Sequence, residues 1–389
     1  MNFNRVICHY AEIGLKKGNR GFFEKKLVDN IKMALQNQAP DIQVKRISGR
    51  ILIKYRLTNN ECQEKIESAL KNVFGIAYFS FAVEIEQNIE SIKKTAWELL
   101  KERKFKTFRI SAKRANKKFS LNSQQINEKI GEFIVKKLGK KVNLENSDIT
   151  VFIEIVEGSA FIYLEKIKGP GGLPTGSSGK GIVLISGGID SPVASYFAMK
   201  RGVETIYLHF HSYPFTSKNS IEKVKQLVNI LNKFRQKSKL ILIPFAEIQQ
   251  KIVSAKIDEK LRVILYRRFM FRIAEKIAEK ENTCVLITGE SIGQVASQTL
   301  ENIKAVEEAA KIPVIRPLAG FDKEEIINIA RNIGTFETSI ISCDDTCSLF
   351  APVHPETKAD IKSVKLAEKK LDVKNLVAKA VKNIEIKEI

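Results

Sequence analysis

The 389-residue sequence has no run of about 18 apolar residues, which excludes an ordinary membrane-spanning helix. Met1 to Tyr10 lacks a charged segment followed by an apolar one, so no secretory signal is expected; the protein reads as cytoplasmic, with no membrane partner. Cysteine is scarce. Five in a chain of this length make no disulfide framework, and in a reducing compartment a special cysteine is catalytic or metal-bound. Negative charge is also short: 65 Lys+Arg stand against 44 Asp+Glu, a net charge of +21. A surface merely enriched in charges of both kinds would balance its signs. An excess of one sign points to a polyanionic partner, nucleic acid first. The excess is denser at the front: 32 basic against 19 acidic residues through Thr175, then 33 against 25.

What is present is enough for real cores. The hydrophobic fraction is 44%, and the length suits two or three domains. No internal repeat is visible. Residues 1–73 alternate strand and helix: a strand at Arg5 to His9, a helix at Gly21 to Gln36, a strand-like run at Ser48 to Leu57. Residues 74–168 form a second α+β unit. It has a helix at Asn88 to Lys101, a strand at Thr107 to Ala112, and then the basic stretch Lys113 to Lys118. Ser123 is expected to cap a helix that exits at Gly139, and a hairpin joins Val151 to Ile155 with Ala160 to Leu164. Gly169 to Gly181 is too rich in Gly, Pro and Ser for a helix or a central strand and marks a linker. Residues 182–389 then read βαβα: strands at Ile182–Ile185, Glu204–Phe210, Leu240–Ile243 and Cys284–Thr288, and helices at Pro192–Lys200, Ile221–Phe234, Arg262–Lys280 and Lys323–Ile333. Thr357 to Ile389 is expected to be basic and helical. Buried apolar strands alternating with helices predict an α/β fold with a doubly wound parallel sheet, which binds ligands at the carboxyl ends of its strands.

One motif sits where such a ligand would lie. Ser186-Gly187-Gly188-Ile189-Asp190-Ser191-Pro192 follows the first apolar strand and opens a helix. Its glycines let backbone N–H groups converge, Ser186 and Ser191 add hydroxyls, and the helix offers its N-terminus to a phosphate. It is no Walker loop, since no GK[ST] follows. The pattern SGGxDS resembles the PP-loop ATP pyrophosphatases, which cut ATP between the α- and β-phosphates. That resemblance makes Asp190 the residue that positions Mg²⁺–pyrophosphate, with no metal site built from protein ligands alone.

Taken together, several segments resemble the tRNA 4-thiouridine synthetases (tRNA uracil 4-sulfurtransferases). His9 to Lys16 with Asn19-Arg20 looks like that family's ferredoxin-like module. Phe108 to Ser111 and Arg114, with Lys117-Lys118-Phe119 and Asn122-Ser123, looks like its THUMP RNA-binding domain, and Lys168 to Pro174 like its hinge. SGGIDSP, Thr288 to Thr299, Arg316-Pro317-Leu318 and Asp322-Lys323 look like its PP-loop domain. The resemblance implies ATP-dependent thiolation of uridine 8 of tRNA. Leu184, Ile185, Ser186, Gly187, Gly188, Ser191, His209, Phe210, Arg267, Gly289 and Gln298 would surround the nucleotide, with Lys323 near phosphate. Lys113, Arg114, Lys117 and Lys118 would hold tRNA. Each has a plainer reading: His209 as a buried histidine, Arg267 and Arg268 as a solvated helix face, Gly289 as a turn.

Cys347 matches the family's catalytic cysteine, and Cys343, four residues earlier, is the candidate resolving thiol. Zinc on these two with His211 or His354 is the competing reading, weakened by the lack of a second cysteine pair. Longer relatives carry a rhodanese-like sulfur-delivery domain after this point, so a short form is expected. A cysteine desulfurase or a separate carrier would then load Cys347, or free sulfide would serve as the sulfur source instead. A homodimer is possible. Two further readings stay open: another PP-loop tRNA thiolase, and sulfur delivery for thiamine thiazole. A non-catalytic RNA binder with a degenerate nucleotide site is the rival of another class.

Overall fold

The computed structural model describes residues 3–36, 38, 41–56, 60–342, 350 and 352–389. Cys343 and Cys347 lie outside the described residues. The chain divides into two units, Met1–Pro174 and Thr175–Ile389. Among the described residues no helix is long and apolar enough to cross a membrane.

The first unit runs β1 Arg5–His9, α1 Arg20–Leu35, β2 Gln43–Ile47, β3 Arg50–Lys54, α2 Asn60–Leu70, β4 Tyr78–Ile85, α3 Ile89–Leu100, β5 Thr107–Arg114, α4 Ser123–Leu138, β6 Lys141–Val142, β7 Ile149–Val156, β8 Ser159–Tyr163 and β9 Ile167–Lys168. Its described strands form one sheet in the order β2-β3-β1-β4-β8-β7-β5-β6, with β9 also paired to β4. Period-two alternation sorts the side chains. Val6 and Cys8 of β1 join one core with Leu27 and Ile31 of α1, while Ile7 between them points to the other face. Ile92 of α3 and Ile126 and Ile130 of α4 pack on Phe108, Val151 and Ile153 in a second core. The residue 73/74 border expected from the sequence is no gap in the sheet: β4 pairs with β1 on one side and with β8 on the other.

This sheet is curled. Arg50 on β3 and Glu154 on β7 are four strands apart in the order, about 19 Å on a flat sheet, yet their side chains form an ion pair. Ser48 Oγ likewise donates to Glu157 Oε1 at 2.5 Å. Strong right-handed twist brings the two regions together across the helix-free face.

Local corrections to the sequence reading have local causes. Asn122, not Ser123, caps α4: its side chain accepts from the Gln125 N–H while Gln125 reaches back to the Asn122 N–H. Lys113 and Arg114 continue β5, because that strand pairs with β7 up to Ile155. β2 was not anticipated, since three of its five residues are exposed and carry no alternating signal.

The second unit contains β10 Lys180–Leu184, α5 Asp190–Lys200, β11 Glu204–His211, α6 Asn219–Leu231, β12 Lys239–Pro244, α7 Ala246–Ser254, α8 Arg262–Lys280, β13 Leu286–Ile287, α9 Leu300–Glu307, β14 Val314–Ile315, α10 Lys323–Ile333, the short α11 Phe336–Ser339, α12 Ile361–Glu368, α13 Val373–Lys382 and β15 Glu385–Glu388. The sheet order is β14-β13-β10-β11-β12-β15. All described pairings are parallel except β12 with β15. β10 begins at Lys180, inside the stretch taken for a linker. Gly181 is there because a Cβ would lie 2.9 Å from Ile287 Cδ1 and 3.0 Å from Val203 Cγ1, so a tight strand crossing gives the sequence a linker-like glycine. The expected strand at Cys284–Thr288 shortens to Leu286–Ile287. The basic C-terminal stretch ends in β15, whose pattern is too exposed to announce a strand.

Candidate active site

In the second sheet β10 has β11 on one side and β13 on the other, so chain connections leave β10 in opposite directions. Such a switch point opens a crevice at the carboxyl ends of the strands. The segment Ile185–Ser191 fills that position. The Ser186 N–H donates to Ser191 Oγ at 2.9 Å, the two serine hydroxyls are 3.2 Å apart, and the Gly188 N–H reaches Ser186 Oγ at 3.4 Å. The loop is thereby folded over the N-terminus of the 11-residue α5, whose dipole favours an anion. Gly289, just after β13, packs beneath it. A Cβ there would lie 2.7 Å from Ser191 N and 2.8 Å from Asp190 C.

A cavity of about 500 Å³ opens beside this loop. Leu184, Ile185, Ser186, Gly188 and Ser191 line it from the β10 side, with Asp190. His209 and Phe210 line it from β11, Arg267 from α8, and Gly289 and Gln298 from beyond β13. Gly187 is buried within the loop itself. His209 is buried, and its Nδ1 lies 3.1 Å from the Ile185 carbonyl. Lys323, the first residue of α10, places Nζ 2.5 Å from Asp190 Oδ1.

Several wall residues carried no sequence-based assignment. Glu290 lines the cavity and is 3% exposed. Burial alone would raise its pKa, but the flanking Arg267 and Arg316 guanidinium groups and the Thr288 hydroxyl hold it below the usual carboxylate value. Arg267 Nη2 donates to Oε1, and Arg316 Nε and Thr288 Oγ1 donate to Oε2, each at 2.8 Å. The glutamate thus fixes the guanidinium that faces the cavity. Gln294 donates Nε2 to Asp190 Oδ2 at 3.0 Å. A buried acidic residue directly after an apolar strand was the available signal for Glu290; Arg316 stood out only as part of the Arg316-Pro317-Leu318 resemblance, with no role attached. Arg268 belongs elsewhere: it is 1% exposed and pairs with Glu308 and Glu368.

Ser339 and Phe350, described residues flanking the cysteine pair in sequence, both reach this site. Ser339 Oγ donates to the Gly188 carbonyl at 3.4 Å, and Phe350 lines the cavity. Among the described residues no cluster of three His, Cys, Asp or Glu could hold a metal. Cys8 and Cys62 are buried and Cys284 is exposed.

In the first unit Lys113, Lys117 and Lys118 are exposed at and beyond the end of β5. Arg114 is half-buried and donates to the Phe119 carbonyl at 3.0 Å. Phe119 packs against the core under α4.

Residues 176–373 match the family described as Thiamine biosynthesis protein (ThiI), residues 5–80 its ferredoxin-like domain, and residues 86–165 the THUMP domain. The chain is 41% identical over 385 residues to a probable tRNA sulfurtransferase of Moorella thermoacetica, covering 99% of this chain and 97% of that one. It is 40% identical to a probable tRNA sulfurtransferase of Clostridium perfringens, covering 98% of each. Its structure matches a 4-thiouridine synthetase crystallised with RNA and bound ATP, at a TM-score of 0.89 and 37% identity over the whole of both chains.

Proposed function

The chain belongs to the ThiI family of tRNA sulfurtransferases, and from this premise we propose that its PP-loop site activates uridine 8 of tRNA with ATP and replaces O4 with sulfur, giving 4-thiouridine. The observation that carries the reading is the Ser186–Ser191 cradle at the switch point, closed from below by a glycine with no room for a Cβ. Such a cradle suits the phosphates of a nucleotide, and a 500 Å³ cavity is of the size that takes a small ligand. Arg267 faces the cavity, where it would meet the phosphates. Mg²⁺ would arrive on the phosphates and neutralise charge on the departing pyrophosphate, with Asp190 the loop's carboxylate beside it.

A carbonyl oxygen leaves poorly, whereas AMP leaves well. Uridine O4 attacks the α-phosphorus and pyrophosphate departs. The outer sulfur of a Cys347 persulfide then attacks C4 and AMP departs. Cys343 attacks the inner sulfur, which frees the thiolated base and leaves a Cys343–Cys347 disulfide for reduction. Cys347 precedes Phe350, a cavity wall, by three residues. A desulfurase or another donor loads Cys347. The same loaded sulfur would serve thiamine thiazole synthesis, a reading supported by the family's description as a thiamine biosynthesis protein. Exposed lysines at the end of β5 supply the contact to RNA phosphates.

The test is incubation with unmodified tRNA, ATP, Mg²⁺ and a persulfide donor, followed by chromatography and mass spectrometry of the nucleosides. 4-Thiouridine is expected. 2-Thiouridine or thiocytidine would assign a different thiolase, and no AMP release would leave an RNA-binding protein. Cys347→Ala is expected to release AMP but form no thiouridine. Cys343→Ser is expected to slow turnover, less so with free sulfide or a strong reductant.

A further inference from the structure

Chemistry on a base carbonyl requires the base to leave its stack and lie in a pocket of its own. Its oxygen must also meet the nucleotide's phosphate, so two concave sites have to adjoin and open onto one another. Next to the nucleotide cavity lies a second one, of about 510 Å³, between residues 291–294 after β13 and residues 319–323 leading into α10. The two segments are fastened together: the Ile292 N–H donates to the Ala319 carbonyl at 3.2 Å and Ser291 Oγ to the Phe321 carbonyl at 2.7 Å. The link between the two is the Asp190 carboxylate. Asp190 lines the first cavity, and the two groups that donate to it, Lys323 Nζ and Gln294 Nε2, belong to residues lining the second.

The lining selects the class of ligand. Ile292 is half exposed, Phe321 lines the cavity while its ring packs against Phe197, and Ala319 and Gly320 contribute little bulk. Both charged side chains in the wall are engaged: Lys323 by Asp190, and Asp322 by the Glu325 N–H it caps at 2.8 Å. A pyrophosphate would find the one lysine already neutralised and a carboxylate beside it. A flat, neutral ring with apolar faces and a polar edge fits better. The polar edge has a complement in Gln294. Its Nε2 donates to Asp190, which leaves Oε1 as a buried acceptor with no partner among the described residues. Uracil carries a donor at N3, beside O4. Cytosine carries an acceptor at N3.

Resting on the thiolation reading, we propose that this second cavity seats the flipped pyrimidine base, with Gln294 favouring uracil over cytosine and Asp190 at the rim where base and nucleotide meet. Gly320 provides a probe that the fold tolerates. Its φ is not left-handed, and a Cβ there meets nothing within 4 Å. Gly320→Leu in the full chain is expected to lower 4-thiouridine formation about 10-fold or more, with dissociation constants for ATP and for tRNA within about two-fold of the parent. Gly320→Ala should fall between the parent and Gly320→Leu, a grading by size that general misfolding would not produce. Gln294→Leu, on the opposite side, should give the same split between binding and thiolation. Parental thiolation by Gly320→Leu overturns the assignment, as does loss of ATP affinity in step with activity. A parent protein that forms no thiouridine fails the underlying reading instead, and is recognised before any variant is compared.

Discussion

The backbone of Ser191 passes so close to Gly289 that a Cβ on the glycine would sit 2.7 Å from Ser191 N. The nearest atoms are backbone, which cannot swing aside as a side chain can. Gly289→Ala must therefore push the loop after β10 away from the loop after β13. Overpacking of this kind costs about 1–3 kcal/mol, and the displaced element is the phosphate cradle. ATP affinity measured by calorimetry is expected to fall about 10-fold or more, with tRNA affinity preserved. Parental ATP binding would mean that the cradle does not depend on this contact.

Asp190 holds both Lys323 and Gln294. Asp190→Ala is expected to abolish AMP release while tRNA binding, measured by filter retention, changes little. Asp190→Asn keeps the shape but loses the charge, and is expected to fail as well. Loss of tRNA affinity with AMP release intact would refute the assignment.

The four basic residues near the end of β5 should divide into two kinds. Lys113, Lys117 and Lys118 are exposed, so each substitution by Ala should weaken tRNA binding and flatten the slope of log K against log salt by about 0.7 to 0.9 per lost phosphate contact. Arg114 also holds the Phe119 carbonyl. Arg114→Ala should additionally cost about 1 kcal/mol of stability in denaturant titration, while the lysine variants should cost almost none. An unchanged salt slope in the lysine variants would make the patch a solvated face only.

Glu154 connects pH to stability. Burial pushes its pKa up, but His9, Arg50 and Tyr163 outweigh this and bring it down to about 2, from an ordinary 4.5. His9 Nε2 lies 3.0 Å from Oε1 and Tyr163 OH donates to Oε1 at 2.6 Å. A depressed folded-state value means that the stabilisation is complete above about pH 4.5 and is lost as pH falls toward 2, on the order of 2 kcal/mol from this group. Glu154→Gln should remove that limb from the stability–pH curve. It should also destabilise the protein by about 3–5 kcal/mol at neutral pH, since Arg50 stays buried without its partner. An acid limb unchanged by the substitution would place the titrating group elsewhere.

How much of this was readable in the sequence depended on the range of the interaction. SGGIDSP was legible because strand, turn and helix follow one another within a dozen residues, each with its own signal. Lys323 is a cation at a helix start, where it opposes the dipole, and the structure supplies the missing charge in Asp190, 133 positions away. The clamp of Glu290 by Arg267 and Arg316 gave no such hint, since every member is ordinary in its own segment. Gly181 misled for the opposite reason: a glycine demanded by two neighbouring side chains looks the same in sequence as one demanded by a turn. β15 pairs only through its backbone with β12, and its side chains record nothing of that.

The curl that joins Arg50 to Glu154 has a consequence for dissection of the protein. The match to the ferredoxin-like domain ends inside β4, at residue 80, and the match to the THUMP domain begins just after it, at residue 86, yet that strand is hydrogen-bonded to both halves. Scission between Ala82 and Val83 would cut that strand short on both sides and part β9 from Tyr78 and Phe79, opening sheet edges of the kind that drive aggregation. Each fragment would also strand half of a buried ion pair. The RNA-handling half of the molecule is thus a single cooperative object built from two sequence families, and it should melt in one transition and be exchangeable between relatives only as a whole.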